Sequence, residues 1–187
     1  RKLIAIIFAK PSTRLPGKHL LQICGEPMIS RIYRVLSSCR FFDDVIVYSK
    51  YQELPLVGVK IIKDLSSGVL LDALISALES FGEFLAVGGD MPYLMCRTVS
   101  LLTNSYDGRP IAAADSSGFP QPLFAIYNRS IYEELKAYSS HEKRIYPFLR
   151  KYFKIINLDE EGSSSILSIN TDEEFAEARS RINCGEI

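Results

Sequence analysis

Residues 3–18 read Leu3-Ile4-Ala5-Ile6-Ile7-Phe8-Ala9-Lys10-Pro11-Ser12-Thr13-Arg14-Leu15-Pro16-Gly17-Lys18. The first part, Leu3–Phe8, is apolar throughout, which is typical of a strand buried on both faces of a parallel sheet. The residues that follow are rich in hydroxyl groups and cations, with Pro and Gly between them. Ligands of open parallel sheets bind beyond the carboxyl ends of the strands, so this loop is predicted to bind a ligand.

Similar apolar runs alternate with amphipathic segments along the rest of the chain. The predicted strands are Leu3–Phe8, Val45–Tyr48, Val59–Ile62, Phe84–Val87, Ile111–Ala114, Pro122–Ile126 and Lys154–Leu158. The predicted helices are Pro27–Leu36, Val69–Leu78, Arg97–Leu102, Ser130–Tyr138, Ile145–Tyr152 and Thr171–Ile182. This alternation predicts a Rossmann-like, three-layer α/β/α fold with a mostly parallel, mixed and twisted sheet. At 187 residues, the chain is expected to form a single domain, residues 1–187.

Composition limits the partners and the location that we expect. The 22 basic and 22 acidic side chains cancel, so neither nucleic acid nor an anionic membrane is an expected partner. The apolar stretches are strand-length, so we expect neither export nor membrane insertion. The 4 cysteines lie far apart without a CxxC pair, which predicts reduced thiols in a cytoplasmic protein rather than a zinc site.

The loop after the first strand carries Lys10, Arg14 and Lys18 within nine residues. Such a cluster suits a triphosphate, because Arg14 can make a forked contact to phosphate oxygens while Lys18 supplies a point charge. The alternative is an exposed, solvated basic loop. Neither a P-loop motif nor the GxGxxG motif of dinucleotide-binding folds occurs in the chain.

A second apolar strand ends in Gly88-Gly89-Asp90. Glycines allow a ligand to approach the backbone, and a carboxylate at a strand end can hold Mg²⁺ against phosphate oxygens, so Asp90 is predicted to be the metal ligand. Its alternative is a turn-forming residue before Pro92. Asp64 follows another predicted strand and is expected either to face the same cleft or to form an ordinary turn. We take His19 and His141 as structural or surface residues.

The assembled residues resemble the GT-A-type nucleotidyltransferases, most closely the molybdenum cofactor guanylyltransferase (MobA-like) family. The resemblance lies in Arg14 and Lys18 and in four segments that occur in the family's order: Leu20-Leu21-Gln22-Ile23-Cys24-Gly25-Glu26-Pro27, Asp90-Met91-Pro92-Tyr93, Gln121-Pro122-Leu123-Phe124-Ala125-Ile126-Tyr127 and Ile169-Asn170-Thr171-Asp172-Glu173-Glu174-Phe175. The family's reaction would be Mg²⁺-dependent transfer of GMP from GTP to molybdopterin, with release of pyrophosphate.

The resemblance also implies roles for individual residues. Catalysis would depend on Arg14, Lys18 and Asp90, with Mg²⁺ on Asp90. Acceptor binding would fall to Gln121, Pro122 and Asn170. The nucleotide would be bound by Phe8, Ala9, Lys10, Ser12, Thr13, Arg14, Lys18, Asp64 and Asp90. Residues of about 1–95 would form the nucleotide-binding half, and residues of about 96–187 the half that binds a small phosphorylated or acidic acceptor.

Departures from the family pattern leave other functions open. The family's Leu-Ala-Gly-Gly is here Phe8-Ala9-Lys10-Pro11, which removes a backbone donor at Pro11. Ser12–Lys18 is similar to the CTP-dependent cytidylyltransferases that activate sugar acids such as Kdo, and Asp64–Gly68 resembles the archaeal adenosylcobinamide-phosphate guanylyltransferases. A nucleotide-binding regulatory domain without turnover is the alternative from another class. The sequence is compatible with a monomer or a homodimer.

Overall fold

A computed structural model of the protein describes residues 3–185, and within this range the chain forms a seven-stranded sheet and a short hairpin. The sheet has the order β5-β4-β1-β6-β8-β7-β9. Strand β8 is antiparallel to its neighbours β6 and β7, whereas the other neighbouring pairs are parallel. The predicted mixed, mostly parallel sheet is therefore confirmed. Its strands are β1 (Leu3–Ala9), β4 (Phe42–Ser49), β5 (Ile61–Lys63), β6 (Phe84–Gly88), β7 (Ile111–Ala114), β8 (Pro120–Tyr127) and β9 (Lys154–Asn157).

Helices cover both faces of this sheet. They are α1 (Met28–Ser38), α2 (Leu70–Phe81), α3 (Cys96–Asn104), α4 (Tyr132–Ser139), α5 (Tyr146–Tyr152), α6 (Glu160–Ser165) and α7 (Asp172–Arg181). Strands β2 (Gln22–Ile23) and β3 (Glu26–Pro27) form the hairpin, and short 3-10 turns span Lys18–Leu20 and Arg129–Ile131.

Two hydrophobic cores lie on opposite faces of the sheet. One contains apolar side chains of α1, α3 and α7, represented by Ile32, Val99 and Ala178. The other contains side chains of α2, α4 and α5, represented by Leu74 and Phe148. Successive residues of a strand point to opposite faces, so the continuous apolar runs of β1 and β6 supply both cores. The three-layer α/β/α architecture predicted from the sequence is confirmed.

The predicted elements are present, with two differences. The predicted strand Val59–Ile62 is shifted to Ile61–Lys63, because a turn with Gly58 at φ +71° precedes it. The hairpin β2–β3 and helix α6 were not predicted. The start of α7 is as predicted, since the hydroxyl of Thr171 accepts a hydrogen bond from the backbone N–H of Glu174 at 3.1 Å.

The cysteines contradict the sequence prediction of reduced thiols. Cys24 is bonded to Cys184, and Cys39 to Cys96, with sequence separations of 160 and 57 residues. Cys39 directly follows α1 and Cys96 begins α3, so packing of these two helices brings the thiols together. Such pairs arise from tertiary structure, which is why the spacing along the chain gave no sign of them.

Within residues 3–185, no helix combines the length and the apolar character required to span a bilayer.

Candidate active site

A cavity of about 430 Å³ lies at the carboxyl ends of the parallel strands β1, β4, β5 and β6. A charged residue follows the end of each strand: Lys10 after β1, Lys50 after β4, Asp64 after β5 and, after one intervening glycine, Asp90 after β6. All four side chains line the cavity. The parallel arrangement of the strands therefore gathers residues that are as many as 80 positions apart in the chain.

The residues predicted to bind nucleotide all line this cavity. They are Phe8, Ala9, Lys10, Ser12, Thr13, Arg14, Lys18, Asp64 and Asp90. Together with Lys50, which was not among the predicted residues, the lining contains four cationic and two anionic side chains. An excess of cations at the end of a parallel sheet suits a polyanionic ligand such as a nucleoside triphosphate.

The loop between β1 and the first 3-10 turn is anchored at one end and exposed in the middle. Leu15 is buried, and its backbone N–H donates to the Ser12 hydroxyl at 3.1 Å. Gly17 has φ +70°, a conformation that glycine adopts without strain, and it turns the chain into Lys18–Leu20. Arg14 is exposed at the edge of the cavity, whereas Lys18 is buried at its base. The loop thus presents one cation at the entrance and another at the base.

Lys18 joins the first half of the chain to the last. Its ammonium lies 2.7 Å from Asp90 Oδ2, 3.0 Å from the carbonyl oxygen of Ile169 and 3.2 Å from Asn170 Oδ1. The backbone N–H of Ile169 also donates to the carbonyl of Asp90 at 2.9 Å. Three segments far apart in sequence therefore meet at one ammonium group, and each of them carries a residue that the sequence predicts to be functional.

Both glycines before Asp90 are required by close packing. A Cβ on Gly88 would lie 2.9 Å from Asp90 Oδ1, and a Cβ on Gly89 would lie 2.9 Å from the His19 ring. Both distances are shorter than normal van der Waals contacts, so any larger residue would displace the Asp90 carboxylate or the His19 ring. The sequence predicts that these glycines admit a ligand, which stays a prediction, and the structure shows that they make room for the Asp90 carboxylate and the His19 ring.

A second ion pair forms the wall of the cavity. Lys50 Nζ lies 3.4 Å from Asp64 Oδ1 and donates to the carbonyl of Ser66. The same Asp64 oxygen accepts hydrogen bonds from the Ser66 backbone N–H at 2.9 Å and from its hydroxyl at 2.6 Å. Asp64 therefore does both things that the sequence left open, since it faces the cleft and also forms a turn. Lys10, in the loop after β1, donates to the Gly68 carbonyl at 2.6 Å.

Two residues that line this cavity, Lys50 and His19, were not predicted from the sequence to belong to the site. His19, which was expected to be structural or on the surface, is buried, lines the cavity and is bonded through Nδ1 to the Tyr51 hydroxyl. Lys50 had a signal, because it directly follows a parallel strand that ends at the ligand edge. His19 had only its position beside Lys18. His141 is exposed, as expected.

The three residues predicted to bind the acceptor do not lie together in the structure. Asn170 contacts Lys18, as described above. Gln121, in β8, donates through Nε2 to Asp115 Oδ2 at 3.3 Å and to the Phe119 carbonyl at 2.9 Å, and both partners lie in the turn that joins β7 to β8. Pro122 is buried, and its carbonyl accepts a hydrogen bond from the Tyr127 hydroxyl. Of these three residues, only Asn170 is brought to Lys18 and Asp90.

Asp90 has the properties of a ligand for a hard divalent cation. Within residues 3–185, no three His, Cys, Asp or Glu side chains are grouped as a metal site. Mg²⁺ is commonly held by one or two carboxylates together with substrate phosphates, so a single carboxylate fits this ion. Lys18 is bonded to Oδ2, while Oδ1 packs against Gly88 and has no hydrogen-bond partner among residues 3–185.

Comparison with known proteins links this geometry to a family. Residues 5–156 match the family model described as the MobA-like NTP transferase domain. A relative from Pyrococcus horikoshii, named a probable molybdenum cofactor guanylyltransferase, is 35% identical over 72% of this chain and 73% of its own length.

Two solved structures show the same fold. One is molybdopterin-guanine dinucleotide biosynthesis protein A from Archaeoglobus fulgidus, with a TM-score of 0.72 and 18% identity over 94% of this chain and 97% of that one. The other is a cytidylyltransferase from Leptospira borgpetersenii, with a TM-score of 0.72 and 19% identity over 96% of this chain and 86% of that one. At these identities, the two structures support the fold alone.

Proposed function

Because the chain belongs to the MobA-like NTP transferase family and is a nucleotidyltransferase, we propose that it transfers GMP from GTP to molybdopterin and releases pyrophosphate. The observation that carries this proposal is the contact between Lys18 Nζ and Asp90 Oδ2 at 2.7 Å, at the base of the cavity. It unites the phosphate-binding cation and the metal-binding carboxylate that the reaction requires.

In this reaction an oxygen of the acceptor's phosphate attacks the α-phosphorus of GTP. The bond from the α-phosphorus to the bridging oxygen breaks, and that oxygen leaves with pyrophosphate. Catalysis by this chain would consist mainly of positioning and charge compensation. Lys18 and Arg14 would bind phosphate oxygens, and Asp90 would hold Mg²⁺, which supplies charge neutralisation when bound.

The two halves of the chain would divide the substrates between them. Residues of about 1–95 supply the nucleotide-binding lining of the cavity, and we assign the base to the wall formed by Asp64, Lys50 and Gly68. Residues of about 96–187 would bind the acceptor, with Asn170 nearest to the reacting phosphate because it contacts Lys18.

Pyrophosphate release with each of the four NTPs, with molybdopterin as acceptor and with or without Mg²⁺, tests the proposal. We expect turnover that needs GTP, molybdopterin and Mg²⁺ together. The Asp90→Asn variant is the control for contaminating enzymes, because it should be inactive in the same preparation. Lack of turnover with molybdopterin in the wild-type protein would overturn the proposed acceptor, and lack of binding of any NTP would overturn nucleotidyl transfer itself.

CTP-dependent activation of a sugar acid is the second candidate. Its support is the loop from Ser12 to Lys18, together with Lys10 and Pro11 in place of the family's two glycines. The Lys10 side chain crosses to Gly68 at the wall to which we assign the base, where a purine needs more room than a pyrimidine. Preference for CTP and a sugar acid in the same assay would favour this reaction.

A further inference from the structure

His19 is a buried polar side chain beside the proposed reaction centre that the reaction described above does not use. It follows Lys18 in the 3-10 turn, it is 2% exposed, and its ring lines the cavity. Its Nδ1 is hydrogen-bonded to the Tyr51 hydroxyl, and the two rings meet edge to face with centroids 5.3 Å apart. The ring orientation is therefore fixed by a partner on the loop after β4.

The surroundings of this pair determine the charge of the imidazole. Burial lowers the pKa of His19 to about 4, and burial raises the pKa of Tyr51. At neutral pH the tyrosine therefore keeps its hydrogen and the imidazole is uncharged. A neutral imidazole carries one hydrogen, and the Tyr51 hydroxyl can pair with Nδ1 either as donor or as acceptor. In the tautomer in which the Tyr51 O–H donates to Nδ1, the hydrogen of His19 lies on Nε2.

In that tautomer, the Nε2–H group is available for a ligand. Among residues 3–185, Nε2 has no hydrogen-bond partner, and it is not one of the nitrogen and oxygen atoms that are sealed from solvent without a partner. The adjacent ring atom Cδ2 lies against Gly89, directly before Asp90. The edge of the ring that contains Nε2 therefore lies beside the segment that carries Asp90, the proposed metal ligand.

We propose that His19 is a further substrate contact, whose Nε2–H donates a hydrogen bond to a phosphate oxygen of the bound nucleotide beside Asp90. This inference rests on the proposed nucleotidyl transfer. A neutral donor suits this position, because another cation would compete with Mg²⁺ for the Asp90 carboxylate and would repel Lys18. Gly89 is needed at its position because a Cβ there would meet the His19 ring.

Histidine-selective ¹⁵N NMR tests the proposal directly, since the chain has only 2 histidines. In the free protein, we expect His19 to show a protonated Nε2 and an unprotonated Nδ1, with exposed His141 as the reference. Saturation with GTP or CTP in the presence of Mg²⁺ should shift the Nε2 resonances of His19 and leave those of His141 unchanged. Calorimetry on the same sample establishes that the nucleotide is bound.

The outcomes separate the two proposals. If a nucleotide binds but the Nε2 resonances of His19 do not move, or if the hydrogen is on Nδ1, the role of His19 is overturned while nucleotidyl transfer stands. If no nucleotide binds, the proposed function is overturned and the role of His19 is overturned with it.

Two variants test the donor itself. His19→Phe keeps a ring of similar size without the donor, whereas His19→Gln keeps an N–H donor. We expect His19→Phe to lower kcat/KM about tenfold, as expected for the loss of one hydrogen bond to a charged group, and His19→Gln to recover a substantial part of the loss. Equal losses in both variants would contradict the proposal.

Discussion

The cavity contains two lysine–aspartate pairs that differ in how fully the carboxylate is bonded. Asp90 bonds to Lys18 through one oxygen, and its side chain is 17% exposed. Asp64 is 4% exposed, and its Oδ1 accepts two hydrogen bonds from Ser66 as well as facing Lys50. A carboxylate with a single partner can also bind a metal or a substrate, whereas one that holds a turn and a lysine together maintains the shape of the site. We therefore expect Asp90 to matter most for turnover and Asp64 most for stability.

Asp90→Asn should produce the largest effect. The amide retains an oxygen for Lys18 but loses the charge that binds Mg²⁺, so we expect kcat to fall about a thousandfold, equivalent to about 4 kcal/mol. Lys18 keeps its contacts with Ile169 and Asn170, so the free energy of unfolding should change by at most about 1 kcal/mol. Pyrophosphate release and urea denaturation measure the two quantities. A large loss of stability would contradict the assignment of Asp90 to chemistry.

Asp64→Ala should give the reverse pattern. It removes the acceptor for the Ser66 N–H and hydroxyl and leaves the Lys50 ammonium without its carboxylate, so we expect a loss of about 3 kcal/mol in the free energy of unfolding. Asp64→Asn is the matched control, because its amide oxygen can still serve Ser66. If Asp64→Asn destabilises the fold as much as Asp64→Ala does, the negative charge of Asp64 is what stabilises the fold. The roles of Asp64 and Asp90 would then differ less than their hydrogen bonds indicate.

Acidification should destabilise the folded protein through protonation of His19, which lies on the side of the cavity that contains the Lys18–Asp90 pair. Burial lowers the pKa of His19 from 6.5 to about 4, so the unfolded chain binds this proton more readily than the folded protein does. The stability contributed by neutral His19 is present above pH 6.5 and is lost as the pH falls toward 4. Between pH 7 and pH 5 we expect a loss of about 2 kcal/mol.

The His19→Asn variant isolates this contribution, because other groups titrate in the same range. As the pH falls from 7 to 5, the free energy of unfolding of the wild-type protein should decrease by more than that of the variant. A difference that is independent of pH would show that His19 titrates normally in the folded protein.

The two lysine–aspartate pairs also show which residues of this site can be predicted from the sequence. Lys10, Asp64 and Asp90 could be predicted because each directly follows the carboxyl end of an apolar strand or a glycine pair that extends it, and the ends of parallel strands meet at one edge of the sheet. Lys50 has the same position, and the same argument applied to β4 would have identified it.

Other contacts depend on packing between segments that are distant in the chain. The bond from His19 to Tyr51 and the bond from Lys18 to Asn170 span 32 and 152 residues, and no local pattern encodes them. The disulfides belong to the same class, with separations of 160 and 57 residues. Periodicity predicts which elements form, whereas these partners are set by how the elements pack.

The smallest predicted effect concerns the C-terminal segment that completes the Lys18 site. The Thr171 hydroxyl caps α7, directly after Asn170, and the Asn170 backbone N–H donates to Glu174 Oε1 at 2.8 Å. Thr171→Ala should therefore lower the free energy of unfolding by about 1 kcal/mol and also displace Asn170 from Lys18. We expect a several-fold rise in the acceptor's KM, with the KM for the NTP nearly unchanged.

Asp159→Ala is the matched control for this last prediction. Asp159 caps α6 through one hydrogen bond to the Gly162 N–H at 2.8 Å, and it does not line the cavity at the ends of β1 and β6. Its loss should also lower the free energy of unfolding by about 1 kcal/mol, without a change in either KM. If both variants raise the acceptor's KM equally, the effect comes from general loosening of the fold, and the connection from the α7 cap through Asn170 to Lys18 is not specific.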